Sequence, residues 1–86
     1  MKSNDNNSAK FDVHISFRFI RYSEDELYFE LQRDPAGVVG EPALVYVPNA
    51  QRWLAEMPEW ARGRREEIIQ LIRNRCSHMK DEWQDY

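Results

Sequence analysis

The spacing of apolar residues changes once along this chain, at Pro48, and that change limits the folds it can adopt. Before Pro48 apolar residues recur at every second position, which is typical of strands buried on one side. After Pro48 they recur at alternating intervals of three and four, which is typical of an amphipathic helix. Strands followed by helices predict an α+β fold. We expect an antiparallel meander of three or four strands packed on one long C-terminal helix, with a short helix before it.

The first half of the chain contains three predicted strands. The clearest covers residues 11–19, where the odd-numbered residues are apolar and the others are mostly polar. Ile20 and Tyr22 break this phase, so we expect a bulge near Phe19, with two buried faces as the alternative. A polar turn leads to a second strand near 27–31, and a loop rich in proline and glycine leads to a third strand at 43–47.

The second half is predicted to be helical. Asn49 is a favourable N-cap for a short helix over 50–57, and Pro58 suits the first position of the next helix. Residues 80–86 are interpreted as a continuation of that helix, although a short edge strand would fit them equally. The apolar stripe expected to cover the sheet consists of Ile69, Ile72, Cys76, Met79 and Trp83, widened by Ile68 and Leu71.

Length and composition favour a single small domain. The chain has 86 residues, of which 42% are hydrophobic, so it can fill one modest core but not two. We expect residues 11–86 to form that domain and residues 1–10, which lack an apolar period, to be a disordered leader. A single cysteine, Cys76, excludes a disulfide within the chain, and no window is apolar enough to span a membrane. These features predict a cytoplasmic protein.

The sequence contains no motif for catalysis or metal binding. His14, His78 and Cys76 lack the spacing of a metal site, and the glycines near residue 40 lack the spacing of a phosphate-binding loop. Cys76 lies on the apolar stripe, where a small buried residue is expected rather than a nucleophile. We therefore expect a protein that is not an enzyme and that uses no metal and no cofactor.

Three arginines stand near the start of the long predicted helix, where the positive end of the helix dipole disfavours cations. Arg62 has one acid three residues before it and another four residues after it, so local ion pairs are expected. Arg64 has Glu67 three residues after it and Trp60 four residues before it, which suits an ion pair and a cation over a ring. These two arginines are explained by their own helix.

Arg65 has no acid at helical spacing, so it needs a partner elsewhere. The structural explanation is an ion pair with an acid of the sheet or a loop, such as Asp12, Glu30 or Glu41. The functional explanation is an anion or an acidic partner surface. Gly63 offers a further explanation for the charges, since a break there would make the main helix begin near the following arginine.

Two tryptophans complete the set of candidate binding residues. Trp53 and Trp60 flank the proline corner between the two predicted helices, where a small junction can seldom bury both rings. Tryptophan and arginine are both enriched where proteins bind one another. The candidate binding residues are therefore Arg62, Arg64, Arg65, Trp53 and Trp60.

Four segments follow one another in a recognisable order: the hairpin RYSEDELYFEL, the strand ALVYVPNAQRW, the helix REEIIQLIRNRC and an aromatic tail. This order, over residues 20–86, resembles small bacterial immunity proteins that neutralise toxins of contact-dependent or polymorphic systems. The resemblance implies inhibition of a toxin domain by surface complementarity, without catalytic residues, and a final strand at the C-terminus. The predicted strand 11–19 and the corner MPEW have no counterpart in it.

The sequence is therefore consistent with two classes of function. The first is a small cytoplasmic protein-binding module, an immunity-like inhibitor whose partner is a protein such as a toxin domain. The alternative is a nucleic-acid-binding accessory protein that uses the helix arginines Arg62, Arg64, Arg65, Arg73 and Arg75. A net charge of −3 and the acids among these arginines disfavour nucleic acid as a partner, and no membrane partner is expected.

Overall fold

The structure is a computed structural model, and it describes residues 10–35, 37 and 40–86. Within these residues the chain forms five strands and three helices. In chain order they are β1 (Phe11–Ile15), β2 (Phe19–Glu24), β3 (Leu27–Asp34), β4 (Leu44–Val47), α1 (Ala50–Glu56), α2 (Glu59–Arg62), α3 (Arg65–Arg75) and β5 (Glu82–Asp85). The predicted leader, residues 1–10, lies outside the described residues except for Lys10.

The five strands form one sheet whose spatial order follows the chain. β1 to β4 make an antiparallel meander, and β5 pairs with β4 in parallel. A parallel pair requires a crossover connection, which the three helices provide while they cover one face of the sheet. The α+β prediction is confirmed. The sheet has five strands rather than three or four, and three helices replace the predicted short and long pair.

The predicted long first strand is two strands joined by a tight turn. Ile15 pairs with Ile20, and the N–H of Ser16 donates to the carbonyl of Phe19 at 2.8 Å. Phe17 lies in the turn and is 64% exposed, although the alternating pattern placed it in the core. The predicted bulge near Phe19 is wrong, because the reversal of the chain moves the buried residues from odd to even positions.

The C-terminal residues form a strand, so their helical interpretation is wrong. The N–H groups of Glu82 and Tyr86 donate to carbonyls in and beside β4, at 2.8 and 3.1 Å. Just before β5, the Asp81 carboxylate accepts bonds of 2.7 and 3.0 Å from the Arg33 guanidinium of β3. A continued helix would leave the edge of β4 unpaired and this half-buried arginine without its carboxylate.

The helices begin and end largely where the sequence indicates. The side chain of Asn49 accepts a 2.9 Å bond from the N–H of Arg52, so its predicted N-cap role is confirmed. Pro58 occupies the N-cap of α2 rather than the first helical position. α2 ends after one turn at Gly63, and α3 starts at Arg65. The predicted break at Gly63 is confirmed, although Arg64 and Arg65 still lie at the start of a helix.

The core lies between the helices and the face of the sheet that they cover. Ile68 and Ile72 of α3 and Trp53 of α1 are fully buried, so the central position predicted for Ile72 is confirmed. Sheet residues that are essentially inaccessible face them: Ile20, Tyr22, Leu31, Val45 and Val47. Each described helix is too short or too polar to span a bilayer.

Candidate functional site

Two surfaces of the described chain are candidates for a site, and the first lies between α1 and the junction of α2 with α3. It is a groove of about 370 Å³, called the helix groove here, and four of the five predicted binding residues line it. They are Trp53, Arg62, Arg64 and Arg65, and the exposed side chain of Leu54 lies beside them. The fold therefore brings together residues that the sequence singled out one by one.

The guanidinium of Arg64 is held inside the fold by two carboxylates. It donates to both oxygens of Glu24 at 2.9 and 2.6 Å and to Glu67 at 2.8 Å. The ion pair with Glu67 was predicted, whereas the pair with Glu24 of β2 was not. The predicted contact between the Arg64 guanidinium and the ring of Trp60 is not formed among the described residues. These bonds raise the pKa of Arg64 and lower the pKa of Glu24, for which the bond from Arg64 is the main cause.

Glu24 is a buried acid at the end of β2. Its carboxylate also accepts a hydrogen bond from the hydroxyl of Tyr22. Burial raises the pKa of the Tyr22 hydroxyl, and the bond to Glu24 adds to that shift. The three side chains form a satisfied polar network that ties β2 to the start of α3, and this network stabilises the fold rather than exposing a charge to a ligand.

Arg65 is also occupied by contacts within the chain. Its Nε donates to the carbonyl of Pro48 at 2.9 Å, and its two terminal nitrogens reach Glu66 at 2.7 Å and Asp85 at 3.4 Å. Only 17% of the side chain is exposed. The expectation of an intramolecular partner is met, but by Asp85 of β5 rather than by any of the three acids proposed from the sequence.

We expect the Arg65→Ala substitution to destabilise the fold by about 1–2 kcal/mol, because the buried Pro48 carbonyl loses a charged donor. The two acids beside Arg65 are well exposed, so no buried charge is stranded. Urea unfolding measures the change. Arg52→Ala, which removes an exposed pair with Glu56, is the control and should cost less than about 0.5 kcal/mol. A loss of about 3 kcal/mol or more at Arg65 would contradict this geometry.

The remaining helix arginines are also engaged by the fold. Arg62 donates to the carbonyl of Met57 at 2.9 Å, and the ion pairs predicted with neighbouring acids are not formed among the described residues. The break at Gly63 separates Arg62 from Glu66, which lies in the next helix. Arg73 lies over the ring of Trp83, 5.4 Å from its centroid. Arg75 lies 4.6 Å from the Phe11 centroid and 4.0 Å from Asp12.

Neither of the two candidate tryptophans presents a free ring. Trp53 is fully buried, and its indole N–H donates to the carbonyl of Ala61 at 2.9 Å. Trp60 is half-buried and packs against Tyr22 and Phe29, with ring centroids 6.2 and 5.9 Å apart. Trp53 of α1 therefore belongs to the core, and Trp60 of α2 packs against it.

The second candidate surface is the face of the sheet opposite the helices, called the open face here. No described helix or strand packs across it, although Arg52 of α1 lies 5.2 Å from the centroid of Tyr86 at the end next to β5. Strand alternation and register place the following residues on it: Asp12, His14, Phe19, Arg21, Ser23, Tyr28, Glu30, Gln32, Asp34, Leu44, Tyr46, Glu82, Gln84 and Tyr86. Four of these residues are aromatic, and Tyr28 is 55% exposed.

A rigid cluster occupies the β2–β3 part of the open face. The Arg21 guanidinium lies 5.4 Å from the Phe19 centroid and 4.6 Å from the Tyr28 centroid. It also donates two hydrogen bonds, of 2.9 and 2.6 Å, to one oxygen of Glu30. An arginine fixed by two rings and a carboxylate holds those rings in place, so the aromatic surface is preorganised for contact.

Further along the open face, two tyrosines meet at the end of the parallel strand pair. The rings of Tyr46 and Tyr86 are edge to face, 6.4 Å apart, and with Gln32 they border a depression of about 340 Å³. The charges of the open face are unbalanced. Arg21 is the cation at these positions, against the acids Asp12, Glu30, Asp34 and Glu82.

Sequence reasoning missed this surface, although one signal for it was present. Tyr28 and Tyr46 occupy the polar phase of their strands, where an aromatic side chain faces solvent. Phe19 was assigned to the core because the turn before it was not recognised. Once the hairpin is known, Phe19 and Arg21 fall on the same face as Tyr28.

The described residues contain neither a metal-binding group of side chains nor a reactive thiol. Across residues 10–35, 37 and 40–86 there is no group of three His, Cys, Asp or Glu side chains arranged to hold a metal ion. Cys76 is buried, and this burial raises the pKa of its thiol, so the thiolate needed for nucleophilic chemistry is disfavoured.

Comparison with protein families, with curated proteins and with solved structures found no match to this chain. The resemblance to immunity proteins therefore stays an expectation. The two surfaces described above are the basis for any functional assignment.

Proposed function

We propose that this protein is a protein-binding module whose contact surface is the open face of the sheet. The observation that carries the proposal is the row of aromatic side chains, led by Tyr28 and Tyr86, on a face that no described element covers. Tyrosine contributes a large contact area for little loss of conformational freedom, and it is enriched at binding hot spots. Arginine is also enriched at hot spots, and Arg21 lies against the Tyr28 ring with its guanidinium bonded to Glu30.

The partner is expected to present a cationic contact surface. Four acids accompany one arginine among the strand residues of the open face, and Glu30 already neutralises that arginine. A second nearby cation, Arg52 at the Tyr86 ring, is paired with Glu56. Complementary charge steers association and suppresses wrong partners. An immunity-like inhibitor fits this description, since it would act without catalysis by covering a cationic surface of a toxin domain. A cytoplasmic location suits the free, buried thiol of Cys76, which stays reduced there.

Nucleic acid fits these surfaces less well. Phosphate backbones are polyanions, so the acids of the open face would repel them. On the helical side, Arg64 and Arg65 are neutralised by neighbouring carboxylates, and Arg62 is bound to a backbone carbonyl. The five helix arginines therefore do not form the free cationic patch that the alternative function requires.

We expect Tyr28→Ala to weaken binding by about 2 kcal/mol, which is roughly 30-fold, because it removes the most exposed aromatic ring of the cluster. The probe is the purified product of the gene directly upstream, titrated calorimetrically against each variant. Leu54→Ala is the matched control, since Leu54 is an equally prominent exposed apolar side chain that lines the helix groove instead. It should bind within about threefold of the parent protein.

The reverse result, a loss at Leu54 with no loss at Tyr28, would move the contact surface to the helix groove. The nucleic-acid alternative is tested separately with duplex and single-stranded oligonucleotides. Binding to these that falls steeply with rising salt would support the alternative and contradict the proposal. Urea unfolding of both variants shows whether any loss comes from the fold itself.

A further inference from the structure

The edge of the sheet formed by β1 carries unpaired backbone groups. The sheet order places β1 at one end, with β2 on one side and no described strand on the other. The N–H of Ser16 donates to Phe19, and the carbonyl of Lys10 accepts from Asp25, at 2.8 and 3.1 Å. In an antiparallel pair such bonds alternate, so the even-numbered residues of this strand bond to β2. The N–H and C=O groups of residues 11, 13 and 15 therefore point away from the sheet.

This edge lacks the usual protection against further pairing. Edge strands in monomeric proteins are protected by charged side chains, especially lysine, by a proline, a bulge or an inward charge, or by a covering helix or loop. In β1 the one acid, Asp12, lies on the open face and does not point inward. β1 reads FDVHI and is regular over all five residues. Its helix-side row, Phe11, Val13 and Ile15, is only partly buried at the margin of the core. The strand thus offers both unpaired hydrogen-bonding groups and uncovered apolar surface.

We infer that β1 pairs antiparallel with β1 of a second copy of this chain, about a twofold axis at Val13. In this register Phe11 lies opposite Ile15 of the second copy, and Val13 lies opposite its own equivalent. These pairs consist of residues whose backbone groups point outward, so each pair exchanges two N–H···O=C bonds. The half-buried apolar rows of the two copies then continue into each other across the axis.

The charges of β1 select this register. With the axis at Val13, Asp12 of each copy lies opposite His14 of the other, on the open face, in the closer type of antiparallel pair. An axis at Asp12 would place two carboxylates opposite each other, and an axis at His14 would place two imidazoles opposite each other. Of these three registers, only the one with its axis at Val13 pairs all five residues of the strand and also places Asp12 opposite His14.

Other charged groups near this pair do not oppose it. Arg21 is the neighbour of His14 on β2, but Glu30 already binds its guanidinium. Arg75 of α3 lies beside this edge, 4.6 Å from the Phe11 centroid and 4.0 Å from the Asp12 carboxylate, and the second distance is too long for a hydrogen bond. Its exposed side chain has to move aside when a second copy pairs. Pairing with a second copy would replace that weak contact with a direct cross-strand partner.

The register predicts that a second substitution restores the dimerisation that a first one weakens, which only a twofold β1 pair would show. The parent chain should sediment at twice its 10.4 kDa mass as the concentration is raised to about 1 mM. His14→Asp places acids opposite acids at two symmetric positions and should weaken dimerisation by about tenfold or more. The double variant Asp12→His/His14→Asp restores both complementary pairs and should return the dissociation constant to within about threefold of the parent value.

Three outcomes would overturn the inference. One is a chain that stays monomeric throughout this concentration range, and another is a double variant that stays as weak as His14→Asp. The third is loss of the dimer in Tyr28→Ala, because the copies would then meet through the open face. The substituted positions 12 and 14 are exposed, and urea unfolding of dilute protein checks that the fold is unchanged. Tyr28 lies on β3, two strands from this edge, so its substitution tests partner binding without altering the β1 pair. The dimer can therefore fail while the effect of Tyr28→Ala on partner binding holds, and the reverse.

Discussion

Ile72→Ala is expected to lower the free energy of unfolding by about 2–5 kcal/mol. Ile72 is fully buried near the middle of α3, where it belongs to the core cluster that α3 forms with the sheet. Truncation removes buried methyl groups and leaves a cavity that the sheet and α1 can only partly fill. Urea denaturation followed by circular dichroism gives the change directly from the shift in midpoint.

The control for Ile72 is Leu54→Ala, which removes a similar side chain that is 60% exposed on α1. Its effect should stay within about 0.5 kcal/mol. A loss below about 1 kcal/mol at Ile72 would mean that α3 buries a different face. A change in the slope of the denaturation curve, rather than its midpoint, would show that the denatured or native state itself had changed.

Glu24→Ala is expected to destabilise the protein by about 2–4 kcal/mol, because it deprives both Arg64 and the buried Tyr22 hydroxyl of their acceptor. In this variant Arg64 still has its ion pair with Glu67, so the loss of stability should be smaller than for a buried charge left without any partner. Glu67→Ala is the matched control, since it removes the same chemical group from the same arginine at a position that is 57% exposed. It should cost less than about 1 kcal/mol. Equal losses at the two positions would contradict the burial assigned to Glu24.

The contribution of Glu24 should depend on pH in one direction. Its pKa is lower in the folded protein than the value of about 4.3 expected when unfolded, chiefly because Arg64 binds the carboxylate. At acidic pH the unfolded chain then binds more protons, so the contribution is complete above about pH 4.3 and is lost as the pH falls through the folded pKa. The difference in stability between the parent protein and Glu24→Ala should therefore shrink between neutral pH and about pH 3. A difference that stays constant would rule out this linkage.

These interactions divide the molecule into two sides. On the helical side, two of the arginines predicted to bind a partner stabilise the fold instead. Arg64 bonds to Glu24 of β2 and Arg65 bonds to Asp85 of β5, so both connect the start of α3 to the sheet. On the sheet side, aromatic residues stay exposed and one arginine is fixed between two rings. Exposed aromatic side chains that do not contribute to the core are typical of an interaction site, and the experiments on Tyr28 address that side alone.

The parts of the fold that could be predicted depend on residues close in sequence. Asn49 caps α1 through a bond to a residue three positions away. The predicted stripe through Ile72 and Cys76 indicates the buried face of α3, although Ile68 rather than Ile69 is fully buried on it. The parts that could not be predicted depend on residues far apart. Arg64 is 40 residues from Glu24, and Arg33 is 48 residues from Asp81. Periodicity indicates which face an element buries, but it does not indicate which elements meet.

The missed turn after β1 shows how a local error spreads to the candidate site. Residues 11–19 alternate through the turn itself, because Phe17 continues the apolar phase although it is exposed. With that turn unrecognised, Phe19 was assigned to the core and its contact with Arg21 was lost. The exposed aromatic face of the sheet was therefore not predicted, and the candidate residues included tryptophans that pack in or against the core.

The sequence by itself determined the α+β class, the capped start of α1 and the buried face of α3, because each depends on propensity and on apolar spacing within one element. Only the tertiary structure decided that the last residues add a parallel strand, that Glu24 and Asp85 neutralise the helix arginines, and that one face of the sheet stays uncovered. The physical reason is that backbone pairing and ion pairs are completed by groups from distant elements. Their identity is not encoded in any local pattern, and it follows only from the way the crossover places α3 over the sheet and β5 beside β4.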